Sequence, residues 1–476
     1  MDDDKNHDAE NVPFKVKFNY GIGSFASGIL NGLVFANLTF FYQIKLGTNA
    51  DLLILGWMLF AIWNTLNDPI ASYFIDNTRT KKGRRTPFIR YGSLLYGLAF
   101  IFCWFPISPL DNQIGLFFNF LTALFLLDTM FTIIGACFFS LPNEIAITAK
   151  QRANLGIYQV VFGFLNLALG LVLPVILLSG QEGTHPLFGL SIIIIGLVSA
   201  LILFISSYGI KENMFAQLQP HEGFIEGLRL TLKNKPFWLL MIPAFMIAMI
   251  LPIFSTGLLY YVDYIIFNQS PLPIIIALPA GVIFGMIFSL YKIQSLQPKK
   301  TMIINLAIAA IGASLLFFLI RNTYLSSIPF FLLGIGFAGG SVANTVLMGD
   351  AIDNDELITG KRREAIYGGV NAVVTKPALS LANSSFILII QFFGFNPPLQ
   401  IGGIDIKQPQ TELALLGITI AFSIFPGLLL IISTIAMKFY PLDGSEWINK
   451  KKHIMELHAQ KEMQYLESLK KNNKID

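Results

Sequence analysis

Glu144-Ile-Ala-Ile-Thr148-Ala-Lys150-Gln-Arg152 recurs further along the chain as Glu356-Leu-Ile-Thr359-Gly-Lys361-Arg-Arg363. Each copy carries Thr-x-Lys-x-Arg with a tyrosine a few residues on, Tyr158 and Tyr367, and each is flanked by long apolar segments. Thr148 and Thr359 lie 211 positions apart, close to half of the 476 residues. That spacing is what two fused helical bundles give, and membrane carriers built from internal repeats hold their cargo at the repeat interface.

Composition sets the class. The chain is 54% hydrophobic and 13% charged, with a mean hydropathy of +0.63, against roughly 25% charged in soluble domains. Apolar runs near or above the ~20 residues needed to cross a hydrocarbon core recur throughout. They fall at 16–44, 52–75, 88–109, 114–141, 153–179, 186–208, 236–267, 271–294, 301–320, 327–349, 365–394 and 411–438. Barrel strands would alternate over about ten residues, whereas these runs are continuously apolar, so the fold class is an all-α membrane protein with twelve transmembrane helices. The predicted organisation is an N-terminal tail (1–15), a first six-helix bundle (16–210), a linker (211–235), a second six-helix bundle (236–438) and a C-terminal tail (439–476).

Charge sets the orientation. The acidic opening of the chain lacks the basic region and short apolar core of a cleaved signal peptide. Of the 33 Lys and Arg, 29 fall on the side shared by both termini. Lys45, Arg321 and Lys407 fall on the other side, and Lys376 falls within a helix. Because loops rich in Lys and Arg stay in the cytoplasm, both termini are expected there, in a multi-pass protein of the cell membrane. The net charge of +4 then reflects orientation in the lipid bilayer and implies no nucleic-acid partner. Cys103 and Cys137 both lie in predicted helices and point to neither a disulfide framework nor a zinc site.

Asn67-Asp68-Pro69 precedes the loop Asp76-Asn-Thr-Arg79-Thr-Lys-Lys-Gly83-Arg84-Arg85-Thr-Pro87-Phe88. The second half carries Asp350-Ala-Ile-Asp353-Asn-Asp355-Glu356 ahead of its own basic loop. Together these patterns resemble the glycoside-pentoside-hexuronide:cation symporters, the melibiose-permease-like branch of the major facilitator superfamily. The resemblance spans essentially the whole membrane region. It implies two pseudo-symmetric six-helix bundles in the major facilitator fold, working by alternating access. Basic side chains interact favourably with helix C-termini and acidic ones can pair with them across helix ends. The two loops are therefore expected to form charged cytoplasmic latches from Asp76, Arg79, Arg84, Arg85, Glu144, Arg152, Asp350, Glu356 and Arg363; orientation alone is the simpler account of their charge.

Ionisable groups inside a membrane need a reason, since each costs at least about 2.5–3.5 kcal/mol on insertion scales. Asp68 lies roughly 12 Å of helix above Asp76, with Asn64 one turn away on the same face and Asn67 pointing further round. Such oxygen-rich clustering suits a sodium ion or a transferable proton. The resemblance implies the same site and adds a helix 4 threonine, matched by Thr132. This chain departs from melibiose-permease-like members in carrying Asn64 where they carry an aspartate, which weakens a sodium site and favours proton coupling through Asp68. Lys376, deep in helix 11 and followed by Pro377, matches the family's substrate-contacting lysine, and is expected to touch substrate or neutralise Asp68. Asp128, midway along helix 4, has no counterpart in the family; it either faces the cavity or pairs with another helix. Asp263, near the outer end of helix 7, is expected to meet water.

The family's charged grip on sugar maps here to Gly28, Gly135, Phe139 and Val160, so most of it is missing. Hydroxyl recognition would fall to amides such as Asn31 and Asn371, because polar sites select through groups that must be paired. The expected activity is symport of a sugar, glycoside or related small organic solute with H+ or Na+, by a protein functional as a monomer and needing no other cofactor. A lysophospholipid symporter of the same fold, or a non-transporting sensor or scaffold, is the alternative. No phosphate-binding loop or catalytic cluster points to an enzyme.

Overall fold

The computed structural model describes residues 12–78, 80, 83, 85–145, 149–180, 183–209, 231, 233–360, 363–401, 404–454 and 456. Arg79, Arg84, most of the 211–235 linker and the tail beyond residue 456 lie outside these residues, as do the side chains of Asp76, Phe139, Glu144 and Arg152.

Among the described residues twelve helices are long and apolar enough to cross a membrane. They are α1 (Phe14–Lys45), α2 (Ala50–Asn77), α3 (Thr86–Trp104), α4 (Gln113–Ile145), α5 (Ala149–Leu178), α6 (Phe188–Gly209), α7 (Lys235–Ile265), α8 (Leu272–Leu296), α9 (Pro298–Leu319), α10 (Thr323–Thr359), α11 (Glu364–Thr375 and Pro377–Phe392) and α12 (Glu412–Lys438). Local chemistry fixes several of their starts. Asn49, Asn234, Asn322 and Thr411 each accept a hydrogen bond from the first turn of α2, α7, α10 and α12, which satisfies an otherwise orphaned backbone donor. α10 runs ten residues past the predicted 349 and stops at Gly360, whose positive φ of 71° suits a residue without a Cβ.

Helices α1–α6 pack mainly among themselves, as do α7–α12. The outward face of α6 shows the solvent logic of lipid: Leu190, Ile194, Leu197, Leu201 and Ile205 are exposed, while Ser199, Ser206 and Ser207 turn inward. In the second half, α8 and α10 approach almost backbone to backbone. A Cβ on Gly281, Gly285 or Gly334 would run into the carbonyl oxygen of Phe331, Ile335 or Leu278, respectively. The glycines of α10 therefore serve close packing, and the helix is continuous through Gly339-Gly340.

The halves meet along α1 against α7, and α2 against the second segment of α11. α11 is interrupted at Lys376 because Pro377 has no N–H to continue the ladder. Two features were absent from the sequence reading. α1, α7 and α12 each contain a five-residue π turn, at Phe41–Lys45, Tyr261–Ile265 and Ile420–Ile424. Between α11 and α12 lies an antiparallel hairpin of β1 (Leu399–Ile401) and β2 (Ile404–Ile406), with Gln400 opposite Asp405. We call that end of the molecule the hairpin end, and the opposite one, with the Lys- and Arg-rich loops, the basic end.

Candidate functional site

The central polar cluster grows from two adjacent residues of α2 that face different helices. A step of one residue turns a side chain by about 100° on a helix. Asp68 looks across the interface and forms an ion pair with Lys376 of α11. The Lys376 ammonium also donates to the Asn64 carbonyl at 3.3 Å, and the Asn64 amide donates to the Lys376 carbonyl at 3.4 Å. Asn64, Asp68 and Lys376 thus form a link between the halves, at the point where α11 is broken. The link is not sealed: the Lys376 and Asp68 side chains are 22% and 33% exposed.

Asn67 turns the other way and donates its amide to Asp128 Oδ2 of α4 at 3.0 Å. Asp128 is 2% exposed. Thr132 follows one turn along α4, buried, with its hydroxyl making no hydrogen bond. The structure therefore divides the predicted cation set, with Asn64 and Asp68 facing Lys376, and Asn67 and Thr132 on the side of Asp128.

The other predicted substrate groups lie on α1, α4 and α11. The Asn371 Oδ1 on α11 and the Asn31 Nδ2 on α1 are buried without hydrogen-bond partners. Gly28 of α1 lies directly against the Asn166 amide of α5, where a Cβ would collide. Unpaired amides in a mostly apolar protein are costly unless something else completes them, so these groups can receive hydroxyls from a bound solute. The Phe139 side chain lies outside the described residues.

The hairpin end is closed by cross-half contacts. Asn383 of α11 accepts from Thr39 of α1 at 3.0 Å and from Thr256 at 2.7 Å, while Trp57 donates to the Thr39 hydroxyl at 2.9 Å. Tyr260 of α7 donates to Gln43 of α1 at 2.5 Å. Further out, Lys45 pairs with Asp405 of β2 at 3.0 Å, with both side chains 1% exposed. Asp405 also accepts from the Gly183 N–H of the α5–α6 loop at 2.5 Å. Asp263, expected in water, is instead 3% exposed. It accepts from Ser179 at 2.5 Å and Gly180 at 2.8 Å across the interface, and pairs with Lys407 at 3.1 Å. The hairpin covers it, which no single-helix reading could have shown. One sequence signal did point here: Lys45, Arg321 and Lys407, the three basic residues on the sparsely charged side, are all paired, Arg321 with Glu412 at 2.7 Å.

At the basic end the expected latch partners are redistributed. Arg363 pairs with Asp355, eight residues before it, including an Nε bond of 3.1 Å. Asp350 pairs with Lys451 of the C-terminal segment, where residues 444–454 are helical. Both pairs therefore lie within the second half. Glu356 is buried and its carbonyl accepts from the Gly360 N–H that ends α10. Arg85 is buried and donates to the Ala136 carbonyl at 3.3 Å. Arg79 and Arg84, and the side chains of Asp76, Glu144 and Arg152, are outside the described residues.

Comparison with known proteins agrees with this architecture. The family described as MFS/sugar transport protein matches residues 19–444. The uncharacterized symporter YnaJ of Bacillus subtilis (strain 168) is 26% identical over 91% of this chain and 93% of its own. The isoprimeverose transporter of Lactiplantibacillus pentosus is 20% identical over 91% and 90%. Among solved structures, a bacterial homolog of the human lysosomal transporter Spinster superposes with a TM-score of 0.63 at 16% identity, over 90% of this chain and 96% of that one.

Proposed function

The chain belongs to the MFS/sugar transport protein family, and from that premise we propose that it is a secondary active transporter moving a sugar, glycoside or related small organic solute in symport with H+ or Na+. The observation that carries this reading is the Asp68–Lys376 pair. It sets opposite charges from the two halves against each other, partly exposed, so that ion or solute binding there changes what holds the halves together. Alternating access requires that kind of coupling, since a ligand shifts an equilibrium only through a difference in affinity between states. The two relatives are named a symporter and an isoprimeverose transporter, which supports the same assignment here.

Asn64, Asn67, Asp68 and Thr132 form the cation-coupling cluster in this proposal, with Lys376, Asn371, Asn31, Asp128 and Phe139 around the solute. The hairpin end faces outward and the basic end the cytoplasm, following the distribution of Lys and Arg. The protein sits in the cell membrane with both termini inside and works as a monomer, with the coupling ion as its only cofactor and without catalysis. Arg363–Asp355 and Asp350–Lys451 brace the basic end.

The test is reconstitution into liposomes with labelled isoprimeverose and a panel of other glycosides and lysophospholipids, under an imposed pH or sodium gradient. Gradient-driven accumulation of a sugar is expected, and Asp68→Asn should abolish it while sparing exchange. No accumulation of any sugar would overturn the transport assignment, and equal accumulation by wild type and variant would remove Asp68 from coupling.

A further inference from the structure

We propose that Asp128 on α4 carries a proton in the hairpin-closed state and is the group that holds the transported proton, while Asp68 is held by Lys376. The inference rests on the transport reading above and refines it: the proton sits on Asp128 beside the cation-coupling cluster, and Asp68 couples through its pair with Lys376.

Among the described residues, the titratable groups acting on Asp128 from the elements packed around it are Asp68 on α2, Tyr96 on α3 and Lys376 on α11. Tyr96 is neutral and donates its hydroxyl to the Ser27 carbonyl at 3.0 Å. That leaves two carboxyls and one ammonium. Lys376 is already committed to Asp68, which it contacts directly. If Asp128 were ionised, the cluster would hold an unbalanced negative charge at a residue 2% exposed. Buried carboxyls without a counter-charge take up a proton, because desolvating the anion outweighs any neutral hydrogen bond.

The geometry around Asp128 suits an acid better than a sodium ion. A metal cation needs several oxygen ligands converging on one point. The described partner of Asp128 is the Asn67 amide nitrogen, a donor, at 3.0 Å on Oδ2. An N–H aimed at one oxygen leaves the other to carry the proton. Among the described residues no group of three or more His, Cys, Asp or Glu side chains could hold a metal. The Thr132 hydroxyl lies one turn along the same face of α4, buried and without a partner. It is the kind of group that passes a proton on, since a hydroxyl can accept and donate at once.

The step itself is an acid–base exchange. An O–H bond forms on Asp128 as a hydronium ion or water on one side gives up its proton, and that bond breaks when the opened state lets water take the proton on the other side. While Asp128 is protonated, Lys376 has a single anionic partner and the halves stay linked through Asp68. Once Asp128 is ionised it competes for Lys376, and the link between Asp68 and Lys376 weakens. One proton neutralises the cluster, so one proton per cycle is expected.

Infrared spectroscopy of the reconstituted protein tests this without any substrate. Wild type at neutral pH should show the carbonyl stretch of a protonated carboxylic acid, shifted on exchange into heavy water. Asp128→Asn should lose that band. Asn67→Leu should keep it at higher frequency, because its carbonyl oxygen loses a hydrogen bond, so a misfolded Asp128→Asn does not leave the question open. Absence of the band in wild type, its survival in Asp128→Asn, or its loss on adding sodium at constant pH would overturn the proposal. Failure of sugar accumulation with these spectra intact would sink the transport assignment and leave Asp128 as a proton-binding residue.

Discussion

Lys45 and Asp405 form an ion pair at 3.0 Å that joins the first helix of one half to the β-hairpin of the other, with neither side chain more than 1% exposed. A pair so fully desolvated is fragile to the loss of one member, because the survivor is left as a bare buried charge.

Lys45→Met is therefore expected to weaken closure of the hairpin end by about 3–5 kcal/mol, and Lys45→Met with Asp405→Leu to recover most of it. A cysteine at Thr48, a residue 2% exposed at that end, would report the change by its rate of thiol labelling. Both native cysteines are buried and should stay silent. Equal labelling in single variant and wild type would show that this pair does not hold the end shut.

Closure should also depend on the pH at the hairpin end. Burial pushes the Asp405 carboxyl above its usual pKa, with Lys45 pulling in the opposite direction. Because burying the carboxylate costs more than its pairing with Lys45 returns, the closed form binds the proton more tightly than an open form in which Asp405 is hydrated. Its contribution to closure is complete below the ordinary carboxylate value of about 4 and is lost as pH rises through the raised value. Labelling at position 48 should slow in acid, and Asp405→Asn should flatten that dependence. A profile unchanged by Asp405→Asn would exclude Asp405 as its source.

Lys376 and Asp68 should behave as one unit. In a thermal-unfolding cycle of Lys376→Met, Asp68→Asn and the double variant, a coupling of about 1–3 kcal/mol is expected for a charge-assisted hydrogen bond. Additive single effects would mean the two side chains are neighbours without being linked.

The α8–α10 contact gives a stability test apart from transport. Gly285→Ala forces a methyl against the Ile335 backbone and should cost about 1–3 kcal/mol through overpacking. Gly163 on α5 has open space beyond it, so Gly163→Ala should leave the melting temperature unchanged or raise it slightly. Similar shifts for both would remove the tight α8–α10 contact as the cause.

The twelve spans were legible because lipid demands long apolar helices, and a continuous run from Phe237 to Ile265 says as much in one dimension as in three. The different directions of Asn67 and Asp68 were legible too, since they follow from helix periodicity. Pairing was not. Nothing local to Asp263 tells that residues 144 positions later fold back as a hairpin and bring Lys407 to it. Its alternating Leu399-Gln-Ile401 and Ile404-Asp-Ile406, separated by two glycines, form a recognisable hairpin signal, but one easily passed over in a chain dominated by helices. Asp128 is the intermediate case. Its depth in α4 was plain, while its lack of a cation depends on Lys376 having been taken by Asp68.

The hairpin presents Asp405 to Lys45 on the first helix of one half and Lys407 to Asp263 on the first helix of the other. A strap bearing one charge of each sign adds nothing to the net charge at the mouth, whether it is fastened or undone. Fastening or releasing the strap therefore leaves the electrostatics of that end unchanged, so neither state draws in or turns away a charged solute on its account.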